Sequence, residues 1–217
     1  MKNSIILFIF FFVFVGCKKE LSFNEESVKR MNKSYLEYKN EYDSLMVDHF
    51  PIALKRFENS LSSNTDVRKN NIGLYLYQYN IPKTEIDSIV SYLSERGYRD
   101  KYNSKEDCLF KVNPFETIES LESYDKPKLK EGIEIEKKCY SNKLPIPNFV
   151  DFQQDSKIDI WKDDEFDIYV FEAEKGIFYK GLEIASEQMP KEWGNGYSKG
   201  MAISQQHKIV IYWMVIW

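Results

Sequence analysis

Hydrophobic and polar positions fall into three successive regimes along the chain. Ile5 to Val15 is an unbroken apolar run. Beyond it, Val28, Met31, Tyr35, Tyr38, Tyr42, Leu45 and His49 recur at alternating spacings of three and four. That period predicts one face of a long amphipathic helix. Ser22-Phe23-Asn24-Glu25 has the spacing of a capping box at its start, and Pro51 interrupts it. Leu54, Phe57 and Leu61 suggest further turns. Val67, Asn71, Leu74 and Gln78 make a weaker helical stripe, with Thr65 or Asp66 as its cap. Tyr75, Tyr77 and Tyr79 alternate with their neighbours, so a strand competes there. Pro82 can open a helix whose apolar face is Ile86, Ile89, Val90 and Leu93, with Gly97 as its stop.

From Cys108 the period changes. Leu109 to Val112 reads as a short strand, and Ile133, Ile135 and Lys137 as one face of another. Pro145 and Pro147 exclude a central strand and predict an extended connection. Ile158 and Ile160 form a short strand, and Phe166, Ile168 and Val170 alternate. Glu174-Lys175-Gly176 predicts a hairpin loop returning through Ile177 to Tyr179. Gly200 to Ser204 and Ile209 to Trp217 flank the polar Gln205 to Lys208, a second hairpin. Ile209 to Trp217 is wholly apolar, as a strand buried on both faces would be. The expected fold is α+β, with a helical region over 24–103 and an antiparallel sheet with two C-terminal hairpins over 104–217. The two share one core or form two subdomains.

Composition narrows the partners. The 217 residues carry a net charge of −4, with 43% hydrophobic and 29% charged residues. This is a globular composition, and the acidic balance argues against nucleic acid. Aromatic residues reach 16%. At helical spacing they are read first as helix packing, and second as a sugar-stacking surface.

The N-terminus carries an address. Lys2 precedes the eleven-residue apolar run, which suits a secretory signal and is too short to span a bilayer. The run ends in Phe14-Val15-Gly16-Cys17. Residues 1–20 thus resemble the signal of bacterial lipoproteins, with Phe14 where Leu is usual. The resemblance implies a signal peptide over 1–16, cleavage before Cys17, lipid on its thiol and amino group, and a tether over 17–23. Several acyl chains on one residue form a stable anchor where a single chain does not. By the sorting rule of that class, Lys18 in place of Asp is compatible with the outer membrane.

Lipidation of Cys17 leaves Cys108 and Cys139, which could pair in an oxidising compartment or remain two buried thiols. Closing their loop would stabilise by roughly 3–4 kcal/mol.

Candidate chemistry is sparse. Gly194, Gly196 and Gly200 precede a strand, unlike a phosphate loop, and read as a flexible or left-handed turn. Trp161, Trp193, Asn195 and Tyr197 are the candidate binding surface. Asp163, Asp164, Glu165 and Asp167 lack calcium-loop spacing, and Glu172 with Glu174 is one of many chance carboxylate pairs. His49 and His207 have no ligand or triad partners at recognisable spacing. No catalytic residue, metal site or cofactor is therefore expected. The expected function is a lipid-anchored, non-enzymatic envelope protein that binds another envelope protein, such as an immunity or inhibitor lipoprotein. A glycan- or peptidoglycan-binding module is the alternative, and an envelope hydrolase the second alternative.

Overall fold

The computed structural model describes residues 25–54, 58–67, 71–113, 132, 134–149 and 165–217. The chain opens with helix α1 (Glu25–Lys39) and continues through β1 (Glu58–Asn64), β2 (Ile72–Tyr79), α2 (Lys83–Arg96) and β3 (Asp100–Asn103). It returns in β4 (Asp167–Lys175), β5 (Gly196–Ser204) and β6 (Ile209–Ile216). The six strands form one sheet in the order β1-β2-β6-β5-β4-β3. Every neighbouring pair is antiparallel. The architecture is mainly β with two helices.

Strand β6 occupies the middle because its sequence leaves no alternative. All eight residues are buried. Val210, Tyr212, Met214 and Ile216 join the core on the helix-bearing face, together with Tyr35 of α1 and Ile86 and Leu93 of α2. Ile211 and Trp213 face the other side, against Tyr77, Ile168, Val170 and Phe149. A strand apolar on both faces is stable only when both are covered.

Small residues in β5 make room for the large ones in β6. Gly200 lies opposite Trp213. A Cβ at Gly200 would stand 2.1 Å from the Tyr169 carbonyl oxygen and 2.6 Å from the Trp213 ring. Gly194 and Gly196 are also close-approach positions, with the Ala185 Cβ and the Glu174 carbonyl at 2.8 and 2.7 Å. Gly194 has a right-handed helical backbone. The glycine-rich stretch therefore serves strand packing rather than a left-handed turn.

Several expected elements differ. The region 24–103 is not wholly helical, since β1, β2 and β3 lie within it. The alternating tyrosines of β2 point toward the face opposite the helices while Ile72, Leu74 and Leu76 face them. Helix α1 stops at Lys39, ten residues short of the stripe's end. The stripe is satisfied by turns instead. The Tyr35 hydroxyl donates to the Pro51 carbonyl at 2.6 Å, and the Tyr42 hydroxyl to the Gly73 carbonyl at 2.8 Å.

Only one of the two expected hairpins forms. β5 and β6 are joined by the 205–208 turn, but β4 pairs with β5 across the long connection 176–195. Ile177 to Tyr179 adds no strand, and Phe178 and Tyr179 pack on the helix-side core. Residues 109–112 hold a single parallel bridge, Lys111 with Ile146, rather than a strand. Residues 134–137 are irregular, and Ile158 and Ile160 lie outside the described residues.

Replacing Gly200 by Ala forces the added methyl into backbone and indole. It is expected to lower stability by about 3 kcal/mol, as overpacking of a tight core does, measurable as a fall in the urea midpoint.

Candidate functional site

Two features concentrate the polar chemistry of the described residues. The first is a charge cluster on the helix-bearing face. The β4 ladder shifts register between Val170 and Glu172, leaving Phe171 as the extra residue. This bulge brings Glu172 opposite Lys199. Lys199 is only 6% exposed. Its Nζ lies 3.0 Å from Glu172 and 3.2 Å from Asp48, and it also donates to the Leu45 carbonyl. Arg96 of α2 reaches Asp48 at 3.0 Å and lies over the Phe171 ring. A buried ammonium needs this degree of pairing.

His49 adjoins the cluster. Its Nε2 lies 3.0 Å from the Trp213 carbonyl and therefore donates to it, while Nδ1 is 3.6 Å from Asp48. At that distance the second contact is electrostatic, and Nδ1 has no hydrogen-bond partner. Burial pushes the His49 pKa down, opposed by Asp48. The His49 ring, then Lys199 and Arg96, hold Asp48 well below the usual carboxylate range against the cost of burial. We assign the larger share to the two cations, which make direct ion pairs. Beside this cluster a cleft of about 440 Å³ runs between residues 48–53 and α2, lined by Ile52, Ile89, Tyr92 and Tyr212.

The second feature is a basic, aromatic cleft of about 480 Å³ near the start of β5. Trp193 ends a short 3-10 helix, Lys191–Trp193, set up by Pro190. The Trp193 carbonyl accepts the Trp217 indole N–H at 2.7 Å. Its ring lies 6.1 Å from both Trp217 and Phe110. Phe110 stacks in turn on Tyr140 at 4.7 Å. Tyr140 ends the 3-10 helix Lys138–Tyr140, which a Cys108–Cys139 disulfide ties down with its Cα atoms 6.3 Å apart. Lys143 Nζ reinforces the tie by donating to the Cys108 carbonyl at 2.6 Å. Lys137, Lys138, Lys143 and Lys175 line this cleft against Glu136 and Glu192.

The expected binding residues separate in space. Trp193 is half-buried at the cleft. Asn195 is half-buried with its amide donating to the Leu182 carbonyl at 2.8 Å, a structural role. Tyr197 is buried in the helix-side core, its hydroxyl bonded to Glu172, so it offers no exposed ring. Trp161 and Cys17 lie outside the described residues. Glu172 pairs with Lys199 rather than with Glu174, which is exposed. Asp167 forms an ion pair with Lys101 at 3.1 Å, and Glu165 accepts from Asn103 at 2.7 Å. His207 sits in the exposed 205–208 turn. Among the described residues, no three His, Cys, Asp or Glu side chains converge on a metal-sized site. No helix there is long and apolar enough to cross a membrane.

Sequence reasoning missed the lysines of the cleft and the burial of Lys199. Lys199 had one local sign, a cation within the otherwise uncharged stretch Tyr197 to Ser204. The cleft lysines come from two separate segments, 137–143 and 175, and no local pattern joins them. No family model, curated protein or solved structure matches the chain.

Two outcomes follow from these contacts. Because the folded state lowers the His49 pKa, unfolding takes up a proton below the ordinary value of 6.5. Stability is therefore complete above that value and falls as pH drops through it. Urea midpoints taken from pH 7.5 to 5.5 should decline, and His49→Gln, which can still donate to Trp213, should flatten the slope. Replacing Cys108 and Cys139 together by Ser should cost roughly 3–4 kcal/mol in the same assay, because the opened 31-residue loop enlarges the unfolded ensemble.

Proposed function

We propose that the protein is a lipid-anchored, non-enzymatic binding module of the bacterial cell envelope, and that its ligand is a glycan component of that envelope. The observation that carries the ligand class is the Trp193 cleft. There a half-buried indole and Tyr140 are held on a disulfide-tied frame among lysines. Aromatic rings fixed in a concavity offer apolar area at little entropic cost. The lipoprotein-like residues Phe14 to Cys17 support the anchor. An anchor raises the effective concentration of the domain for ligands on the same membrane. Cys17 would carry the lipid, and the outer membrane is the destination compatible with Lys18.

A hydrolase is less well supported. The His49 ring is buried, and its Nε2 is engaged by the Trp213 carbonyl. A protein partner keeps one specific support. Ile52 is 90% exposed and Leu45 73% exposed, and Ile52 lines the cleft beside α2. A groove with exposed aliphatic residues suits a protein surface.

One fractionation experiment tests both parts. In the native cell, Cys17→Ser should move the chain from the membrane to the soluble fraction. The full chain in detergent should sediment with insoluble envelope material, and Trp193→Ala should reduce that retention several-fold. Retention that disappears after protease treatment of the envelope material would favour the protein partner and overturn the glycan.

A further inference from the structure

We infer that the Trp193 cleft takes a polyanionic glycan, a sugar ring against Trp193 or Tyr140 with its carboxylate or phosphate on the neighbouring lysines. This deepens the binding reading above and rests on it.

Charge is the first argument. The chain has 30 basic residues against 34 acidic ones, yet four lysines line this cleft against two glutamates. The glutamates are partly engaged already. Glu136 accepts from the Lys191 backbone N–H at 2.7 Å, and Glu192 pairs with Lys175. Lys143 is also committed, to Glu106 at 3.1 Å and to the Cys108 carbonyl. Lys137 and Lys138 remain, both with access to solvent. A local excess of this sign in an acidic protein attracts anions.

Geometry is the second argument. Each ring is backed by protein and carries an ammonium over its face. Lys175 Nζ lies 5.0 Å from the Trp193 centroid, and Lys137 Nζ 5.7 Å from that of Tyr140. Lys175 is held in place by Glu192 as well, whereas Lys137 is held over Tyr140 only weakly, so an arriving anion can recruit Lys137 with little reorganisation. Ring and ammonium are thus offered at one place. A sugar acid has the matching pair, an apolar C–H face and an anionic substituent. An acidic peptide would use the lysines and leave the rings idle.

Preorganisation is the third. Pro190, the indole bond to the Trp193 carbonyl, and the Cys108–Cys139 tie fix both rings before any ligand arrives.

The test is titration of the full chain in detergent, followed by calorimetry. The probes are a galacturonate hexamer, a phosphorylated oligomannose, a galactose oligomer and poly-glutamate. The expected result is binding of the galacturonate, the phosphorylated sugar or both, which identifies the anion. Affinity should fall with added salt, and the galactose oligomer should bind at least about tenfold more weakly. Trp193→Ala should weaken binding by about tenfold. Trp193 packs on Trp217, so a surface variant serves as the folding-neutral control. Lys137→Gln with Lys138→Gln should also weaken binding by about tenfold and reduce its salt dependence. Equal binding of the galactose oligomer would overturn anion recognition. Equal binding of poly-glutamate, or indifference to the Trp193 and lysine variants, would overturn sugar recognition at this cleft. If no oligomer binds while Trp193-dependent sedimentation persists, the ligand class is wrong and the binding reading stands. If sedimentation is lost too, both fail.

Discussion

The structure depends on one strand being buried on two sides at once. β6 lies between β2 and β5 and, among the described residues, is the strand that joins the β1-β2 pair to the β5-β4-β3 set. Without it the sheet is two separate pieces, each with an apolar edge. Its hydrophobic residues therefore do two jobs. They hold the ladder in the centre, and they supply both cores, through Tyr212 and Met214 on one face and Ile211 and Trp213 on the other. Burying one such side chain contributes about 1.5–3 kcal/mol, and all eight residues of this strand are buried, which makes it a large contributor to the apolar stabilisation of the domain. The pairing is also long-range. Ile72 of β2 meets Ile216 of β6 across most of the described sequence. Such contacts demand loop closure before they return any stabilisation, which makes the sheet a slow and cooperative structure to form.

Central burial explains where the polar groups went. Lys199 sits on β5 next to β6, where water cannot reach, and the fold answers with a bulge at Phe171, Asp48 from the turn after α1, and Glu172 from β4. The same turn supplies His49, whose Nε2 bonds the Trp213 carbonyl. Residues 40–54 thus pack as a lid on the helix-bearing side, pinned by ion pairs rather than by regular structure. Removing both carboxylates would leave the Lys199 charge buried and unpaired, which costs far more than the pairs themselves give. This cluster is best understood as structural. The Trp193 cleft lies on the other side of the sheet and is free of that constraint.

What could be read from the residues follows from how local each signal is. β6 was legible because eight successive apolar residues need no partner to be recognised. α2 was legible because its face and its Gly97 stop, with φ at 81°, are contiguous. The 205–208 turn was legible for the same reason. The stripe through His49 predicts a longer helix than α1, because its later members reach the core from turns. The Tyr42 hydroxyl is drawn to β2 backbone, and the Lys39 ammonium donates to the Phe50 and Pro51 carbonyls. The hairpin after β4 failed for a non-local reason. Gly176 does adopt positive φ, but the small residues of β5 offer β4 a tighter partner than Ile177 to Tyr179 could.

The same logic separates the visible half of the site from the hidden half. Trp193 could be picked out because an indole between Pro190 and two glycines signals an exposed turn. Tyr197, four residues on, carried the same local signal and went to the opposite face, because strand alternation decides orientation once β5 begins at Gly196. The lysines could not be picked out, since 137–143, 175 and the Trp193 turn are far apart in sequence and meet only in the folded structure. A cleft assembled from separate segments inherits its rigidity from whatever ties them together. Here that is one disulfide, one indole hydrogen bond and a stack of rings from Tyr140 through Phe110 to Trp193. If the cleft binds as proposed, its ligand affinity is coupled to the redox state of Cys108 and Cys139. Reduction would release the Lys138–Tyr140 turn and make ligand binding bear the cost of reordering it.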